Sequence, residues 1–358
     1  MSSKKISKSS FRALPRRAFL KGAAAGTLGM TVGLPLLEGG LFAQESATKS
    51  RVVLVRHPSV VDAAGNVRIP LLRKMITRAM AEYTGKSVSK EIWGPFFSAS
   101  RTVGLKLNTL GLSNIRKSSL TEHFSAVISV LADELKAAGC AEKDVIVWDR
   151  SEEELANAGL TVQKSPDKIR VLGVMGDRSS RGSEKIAGKY DPTYYPVGNK
   201  KVRLCRILTD QCDTLISVPL LKHHRLAGIT GSLKSHFGSI DDPGQFHSTR
   251  CVSPGIPEIN AIPVIRRKQK LIIADALMGL CHGGPWWDPR HVWPFGGIVV
   301  GTDPVAVDAV LLQIIDEERK TRDLQPIARS IRQLKLSEQL GLGTCDPTRI
   351  DLKKIELS

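Results

Sequence analysis

The chain has 358 residues, with 52 Lys and Arg against 35 Asp and Glu, and therefore a formal net charge of +17. Apolar residues make up 42% and charged residues 24%, a globular balance that excludes a disordered or collagen-like chain. A run of about 18 uninterrupted apolar residues does not occur, which excludes a polytopic membrane protein. The six cysteines are too few for a scaffold built on disulfides.

The first 43 residues have the features of an export signal. A basic stretch is followed by a weakly apolar, Gly-rich run, and Ala43 is a small residue suited to cleavage. The segment Arg16-Arg17-Ala18-Phe19-Leu20-Lys21 resembles the twin-arginine (Tat) signal of bacteria. This resemblance implies that the Tat translocation machinery exports the folded chain, and that cleavage near Ala43 leaves a periplasmic or otherwise exported protein of residues 44–358. An ordinary basic leader is the alternative.

The mature chain stays basic after the signal is removed. The signal holds seven basic residues and one acidic residue, so 17 − 6 leaves a net charge of +11 for residues 44–358. A basic exported protein favours anionic partners such as lipid, polysaccharide or a small anionic molecule. Nucleic acid is not expected, because the charge is dispersed and no nucleic-acid-binding motif is present. The alternative is a merely soluble basic surface.

Short β-branched runs alternate with helical patterns along the mature chain, which predicts βαβ units. The predicted strands are Val52–His57, Val103–Asn108, Val145–Asp149, Val171–Met175, Val202–Leu208, Thr214–Val218, Leu271–Ala274 and Ile298–Gly301. The predicted helices are Leu71–Tyr83, Glu122–Ala138, Glu152–Asn157, Val305–Glu318 and one near Ser330–Leu340. We therefore expect an α/β fold, with a largely parallel or mixed sheet, helices on both faces, and a single compact domain over residues 44–358. No transmembrane span is expected in it.

Helix boundaries and irregular stretches complete this outline. Thr121 and Asp303, which precedes a proline, are predicted N-caps. Long stretches without periodicity are uncommon inside compact domains and are often functional. The chain has three of them, namely Ser179–Asn199, Ser239–Pro263 and Cys281–Gly297.

The residues from Ser217 to Gly238 hold the densest set of polar and basic side chains. A buried strand runs into Pro219, then into a predicted basic turn, then into a Gly/Thr/Ser segment that opens a helix. Ligands of open α/β sheets bind beyond the carboxyl ends of the strands, and free N–H groups at a helix start bind anions. We therefore predict an anion-binding pocket at this point, formed by Lys222, His224, Thr230, Gly231 and Lys234. A basic surface turn is the alternative.

Charged residues also interrupt other apolar stretches. Lys106 and Asn108 share one face at the end of a predicted strand, and a buried ammonium needs a partner or a ligand. A lysine that extends from an edge strand into solvent is the alternative. Asp275 ends a second apolar strand, and Asp308 lies one turn into an apolar helix. Either carboxylate could neutralise one of the lysines.

A metal site is a further hypothesis with weaker support. Histidines and cysteines lie in or near these loops, but neither a C-x-x-C nor an H-x-x-x-H pair occurs. The candidate ligands are His224, His236 and His247. The spacing favours no particular metal.

Together these stretches resemble the bacterial and archaeal family called domain of unknown function 362. The motifs that carry the resemblance are Lys106-Leu107-Asn108, Pro219 to His224, Thr230 to Gly238, Asp275, and Asp308-Ala309-Val310, within a match from Val52 to Gly343. Ser235 departs from the pattern, since the family commonly has Asn there. The resemblance implies that Lys106, Asn108, Lys222, His224, Lys234, Asp275 and Asp308 converge. The clustered-Cys segment of some members is missing, so a ferredoxin-type iron–sulfur cluster is not expected.

Two functional hypotheses follow. The first is an exported enzyme that binds an anionic or metal-bearing small molecule or cofactor in a Lys/His/Asp pocket. Lysines would hold the anion, His224 would transfer a proton or bind a metal, and Asp275 and Asp308 would orient or balance the cations. The second hypothesis is a non-catalytic ligand-binding protein, or an accessory protein of an envelope redox complex. The reaction and the cofactor remain open.

Overall fold

The computed structural model describes residues 49–97, 102–112, 120–175 and 189–358. The predicted signal of residues 1–43 lies outside these ranges, as does part of the predicted loop Ser179–Asn199. Over the described ranges, the helices fall short of the length and apolarity that crossing a membrane requires.

A mixed sheet organises the described chain. Its strands, in spatial order, are β12 (Ile350–Glu356), β1 (Ser50–Arg56), β11 (Val292–Gly301), β10 (Gln269–Leu280), β7 (Thr214–Val218), β2 (Val103–Leu107), β3 (Val145–Asp149) and β4 (Arg170–Gly173). β8 (Leu220–His224) pairs with β10 and with the short β9 (Gly228–Ile229). β5 (Tyr195–Val197) and β6 (Lys200–Val202) form a separate hairpin. Neighbours from β10 to β4 run parallel, whereas β11 is antiparallel to both β10 and β1.

Helices cover both faces of this sheet. They are α1 (Ile69–Thr84), α2 (Ser89–Phe97), α3 (Glu122–Ala137), α4 (Glu152–Asn157), α5 (Gly231–Ser235), α6 (Gly255–Ala261), α7 (Pro263–Lys268), α8 (Pro304–Thr321) and α9 (Ala328–Gln339). α1 and α3 pack with Leu105 and Val147 on one face. α5, α6 and α8 pack with Trp148 and Ala274 on the other. The α/β class, the mixed sheet and the helices on both faces are therefore confirmed.

Local sequence signals account for several boundaries. The predicted bounds of α4 and β7 agree with the structure. Asp303 caps α8, since its Oδ1 accepts hydrogen bonds from the amides of Val305 at 2.8 Å and Ala306 at 2.9 Å. Thr121 stands at the predicted N-cap position of α3.

Several predicted segments differ from the structure, among them the predicted irregular stretch Cys281–Gly297, which contains the start of β11 at Val292. Within Val202–Leu208 only Val202 is in a strand, and the chain then enters a π-helical turn at Ile207–Gln211. Leu204 and Leu208 are fully buried there, and a short buried apolar run looks alike in a strand and in a helix. The predicted basic turn after Pro219 is strand β8, and the predicted irregular stretch Ser239–Pro263 contains α6.

The order of the parallel strands creates a crevice. From β2 the chain moves to β3 and β4 on one side, whereas β7 and β10 lie on the other side of β2. Such a reversal leaves space between the loops that follow the two central strands, where open α/β sheets bind ligands. Asn108 follows β2, Asp149 ends β3, and Lys222 follows β7. The fold therefore brings these positions together at the carboxyl ends of the parallel strands.

Candidate functional site

Three lysines are buried near the carboxyl ends of these strands. Lys106 and Lys222 are 0% exposed and Lys234 is 2% exposed. A buried ammonium is costly unless a negative charge or several hydrogen bonds compensate it. The surroundings of the three lysines differ, and the differences distinguish structural roles from a binding role.

Lys106 is held by a complete ion pair. Its Nζ lies 2.6 Å from Asp149 Oδ1 and donates to the carbonyl oxygen of Leu107 at 2.5 Å. Asp149 Oδ2 accepts from the amide and the hydroxyl of Thr109 at 2.6 and 2.7 Å. A Cβ at Gly238 would lie 3.0 Å from both Lys106 Nζ and Asp149 Oδ1, so glycine lets the segment after α5 approach. The pair therefore fixes the loop after β2 against β3, and Lys106 lies in a central strand rather than at an edge.

Lys222 contacts the same loop, the one that follows β2. Its Nζ donates to the carbonyl oxygen of Leu110, and Glu154 Oε1 accepts from the next amide, that of Gly111, at 3.0 Å. Burial lowers the pKa of Lys222 to about 7 and raises that of Glu154 to about 7, while each opposes the shift of the other. The two side chains therefore clamp the loop after β2 from opposite ends of one peptide.

Lys234 has no such compensation. It lies on α5, with Nζ 4.6 Å from the centre of the Phe237 ring. Among the described residues, the groups that influence its charge are the thiol of Cys251 and the guanidinium of Arg150, and neither is a carboxylate. Burial lowers the pKa of Lys234 to about 8, so the amine remains mostly protonated at neutral pH. This buried cation lacks a counter-charge, and an anionic ligand would supply one.

A cavity of about 320 Å³ opens beside Lys234. Three polar atoms on its wall are buried and have no hydrogen-bond partner among the described residues, namely Asn108 Oδ1, Arg150 Nη1 and Ser235 Oγ. Leu110, Phe237 and Pro243 supply apolar surface, and His247 and Asp242 lie at its exposed side. The cavity thus combines two cations, an amide and a hydroxyl with apolar walls, as small-molecule sites do.

His224 is oriented by the backbone. Its Nδ1 accepts from the amides of Leu226 at 3.1 Å and Ala227 at 3.2 Å, so the neutral ring carries its proton on Nε2. Burial, together with the charges of Lys234 and Lys222, lowers the pKa of His224 far below its usual range. In this state the ring is a hydrogen-bond donor through Nε2. Metal binding or proton uptake by Nε2 would require another tautomer.

Asp308 binds the start of α5, where the sequence analysis predicted a ligand anion. Its Oδ1 accepts from the amide of Ser232 at 2.6 Å and its Oδ2 accepts from that of Leu233 at 3.0 Å. Gly231 has φ +53°, and a Cβ there would collide with the Asp308 carboxylate. Those two N–H groups, predicted to bind a ligand anion, therefore already bind a carboxylate of the chain. Asp308, Gly231 and Thr230 lie at this helix start, apart from the residues that line the cavity.

Asp275 pairs with a histidine that the sequence analysis missed. Its Oδ2 lies 2.5 Å from His123 Nδ1, and its Oδ1 accepts from the amide of Leu277 at 3.0 Å. His123 is fully buried, and its Nε2 has no partner among the described residues. Its ring centre is 5.8 Å from that of Trp287, whose ring in turn lies 5.4 Å from Lys222 Nζ. The carboxylate thus fixes one ring nitrogen of His123, while the other is buried without a partner among the described residues.

The three candidate metal ligands have different surroundings. His236 uses both ring nitrogens, with Ser239 Oγ at 3.1 Å and Gln269 Oε1 at 2.8 Å. His247 lies at the exposed side of the cavity, and His224 is oriented as described above. Within the described ranges, His, Cys, Asp and Glu side chains form no group of three that could hold a metal ion.

The predicted site is therefore divided. Of the seven residues expected to converge, Asn108 and Lys234 line the cavity, Lys106 contacts it through Asp149, and His224 lies outside the lining, held by backbone amides. Lys222 supports the cavity through Leu110, whereas Asp275 and Asp308 have partners of their own. Sequence analysis missed Arg150 and His123. Arg150 had a usable signal, because it directly follows a predicted buried strand that ends in Asp149.

Comparison with known proteins identifies the family of the chain but assigns no reaction to it. The profile of the family described as domain of unknown function (DUF362) matches residues 103–313, more than half of the chain, and the chain belongs to this family. A Thermotoga maritima protein, whose crystal structure was determined by the Northeast Structural Genomics Consortium, is 13% identical with a TM-score of 0.40. The match covers 77% of this chain and 60% of that protein, so the chain spans less than two thirds of its length. No functionally curated protein matches the sequence.

Proposed function

We propose that this DUF362 protein is an exported enzyme that binds a small organic anion, as substrate or cofactor, in the cavity beside Lys234. One observation carries the proposal: the Lys234 ammonium is 2% exposed, lines a cavity of about 320 Å³, and has no counter-charge among the described residues. Removing an ion from water costs several kcal/mol unless a partner compensates it. An anion in the cavity would supply that partner.

The other residues of the cavity support an anion that is organic and small. Arg150 adds a second cation, with Nη1 buried and unpartnered among the described residues. The charge of Lys106 is already balanced by Asp149, so Lys234 and Arg150 remain as the cations for a ligand. Leu110 and the Phe237 ring would cover apolar parts of the ligand. Cavities of about 300 to 1,000 Å³ are typical of small-molecule sites.

The test compares the small molecules that co-purify with the unaltered chain and with two variants after export. Small molecules are released from the unaltered chain, from Lys234→Met and from Lys86→Met, and are identified by mass spectrometry. Lys86 is exposed, so the last variant removes one positive charge away from the cavity. We expect one anionic compound in the unaltered chain and in Lys86→Met, and its loss from Lys234→Met. Equal amounts in all three proteins, or no binding of any carboxylate or phosphate to the unaltered chain, would refute the proposal.

The His123–Asp275 pair supports catalysis rather than binding alone. Proton transfer needs a group with a fixed orientation and a free nitrogen, and His123 has both, although its buried ring does not line the cavity beside Lys234. Incubation of the released compound with the protein distinguishes the two cases. A chemical change in the compound indicates an enzyme, and a compound recovered unchanged indicates a non-catalytic binding protein. Loss of the change in His123→Gln assigns the proton transfer to His123, whereas a change that persists in this variant excludes that role.

We further propose that the Tat pathway exports the chain, on the basis of the segment Arg16-Arg17-Ala18-Phe19-Leu20-Lys21. Replacement of both Arg16 and Arg17 by Lys should leave an uncleaved precursor in the cytoplasm. Arg12→Lys is the matched control, because it makes the same change outside the paired arginines. The mass of the exported chain then tests cleavage near Ala43. Unchanged export of the double variant would contradict this route.

A further inference from the structure

Asn108 lines the cavity and carries an unused hydrogen-bond acceptor. It directly follows β2, is 7% exposed and lines the cavity beside Lys234. Its Oδ1 is buried and receives no hydrogen bond from any described residue. A buried acceptor without a donor is unfavourable, and its desolvation remains uncompensated until a donor arrives. A ligand that carries a hydrogen-bond donor would complete this site.

The charges around the cavity favour a neutral donor. Arg150 and Lys234 line the same cavity as Asn108, Lys106 lies two positions before it in the chain, and the carboxylate of Asp149 is already used by Lys106 and Thr109. An ammonium group would be repelled by these cations, whereas a hydroxyl donates a hydrogen bond without charge. A neutral donor therefore fits beside Asn108, and a hydroxyl group is the simplest one.

The charge balance of the same wall favours a carboxylate as the anion. Lys106 and Asp149 cancel, which leaves the formal charges of Arg150 and Lys234 and that of the exposed Asp242 on the wall, where no ion pair among the described residues joins Asp242 to either cation. The balance is one positive charge, which a monoanion neutralises and a phosphate dianion exceeds. Ser235 Oγ is unpartnered among the described residues and can donate to a carboxylate oxygen.

We propose that the ligand of this cavity is a hydroxycarboxylate with an apolar body, and that Asn108 binds its hydroxyl group. This inference rests on the proposed function, because it names the ligand class of the same site. Lys234 and Arg150 bind the carboxylate, and Phe237 and Leu110 contact the apolar body. Asn108 thus determines specificity, while the two cations supply the charge.

The test uses matched ligands and isothermal titration calorimetry on the exported protein. 3-Phenyllactate and 3-phenylpropionate differ only by the hydroxyl group, and each enantiomer of the former is measured. Phenylalanine carries an ammonium in place of the hydroxyl, and inorganic phosphate tests the dianion. We expect one enantiomer of phenyllactate to bind about tenfold more tightly than phenylpropionate, as a hydrogen bond to an otherwise unsatisfied acceptor allows. Phenylalanine and phosphate should bind more weakly than phenyllactate.

Two variants assign the preference to a residue. In Asn108→Leu the ratio of the two affinities should fall to about one, because leucine accepts no hydrogen bond. In Ser235→Ala both affinities should fall together and the ratio should persist. The ligand comparison on the unaltered chain decides the ligand class even if a variant fails to fold.

The outcomes separate this inference from the proposed function. Equal binding of phenyllactate and phenylpropionate, or a preference that survives Asn108→Leu, overturns hydroxyl recognition and leaves the anion site standing. Tighter binding of phenylalanine or phosphate overturns the ligand class. If neither carboxylate binds and Lys234→Met keeps the natural ligand, the proposed function fails as well.

Discussion

Replacement of Lys234 by Met tests whether the buried ammonium lacks a counter-charge. Methionine keeps an unbranched chain of similar length and removes the charge. Burial lowers the pKa of Lys234 to about 8 from its ordinary value of 10.5. At 1.36 kcal/mol for each pH unit, this difference corresponds to about 3 kcal/mol of destabilisation of the native state while the amine is charged.

The sign of the pH dependence follows from proton binding. Between about pH 8 and 10.5 the unfolded chain holds a proton on Lys234 that the native chain has released, so the free energy of unfolding rises with pH. The cost is present in full below about pH 8 and is removed by about pH 10.5. Lys234→Met lacks this group. It should therefore be more stable than the unaltered chain at pH 7, and this advantage should shrink by about 3 kcal/mol towards pH 10.5.

Chemical denaturation of the ligand-free mature chain at pH 7 and pH 10 measures this change. Lys86→Met is the matched control, since Lys86 is exposed and its replacement should leave the pH dependence unaltered. A stability difference between Lys234→Met and the unaltered chain that is the same at both pH values would refute the reasoning. The reasoning would also be refuted if the stability of Lys234→Met, measured relative to the unaltered chain, were lower at pH 7 than at pH 10. That result would mean that a partner stabilises the ammonium.

Three further predictions concern the contacts around the site. Gly231→Ala should lower the unfolding free energy by at least about 2 kcal/mol in urea denaturation, because its Cβ meets the Asp308 carboxylate at positive φ. The control is Gly85→Ala, which is also at positive φ but has open space around it and should cost about 1 kcal/mol. Equal costs for the two variants would contradict the contact with Asp308. Burial raises the pKa of Asp308 to about 7 from 3.8, so the native chain binds the extra proton and its stability falls from about pH 4 to pH 7. Asp308→Asn should remove that slope, and an unchanged slope in pH-dependent denaturation would count against it. Asp275→Asn should change the imidazole ¹⁵N shifts of His123, and unaltered shifts would argue against the pair.

Local patterns in the sequence determined the class of fold and much of its secondary structure. Strand β7 and helix α4 follow from short apolar and helical patterns, and Asp303 caps its helix through neighbours two and three residues away. The buried Lys106 could also be recognised, because a cation inside an apolar run needs a partner wherever the run is placed. These features depend on residues that are close in the chain, and the sequence therefore determines them by itself.

Only the tertiary structure decided which groups meet. Asp275 reaches His123 across 152 positions, and Asp308 reaches the start of α5 across 76. Local periodicity does not specify such contacts, because they depend on the strand order that places β7 and β3 on either side of β2. Asp275 and Asp308 thereby pair with groups other than lysine, and Lys234 faces the cavity without an ion-pair partner among the described residues. The sequence thus identified the charges, and the packing of distant elements determined which of them remain available to a ligand.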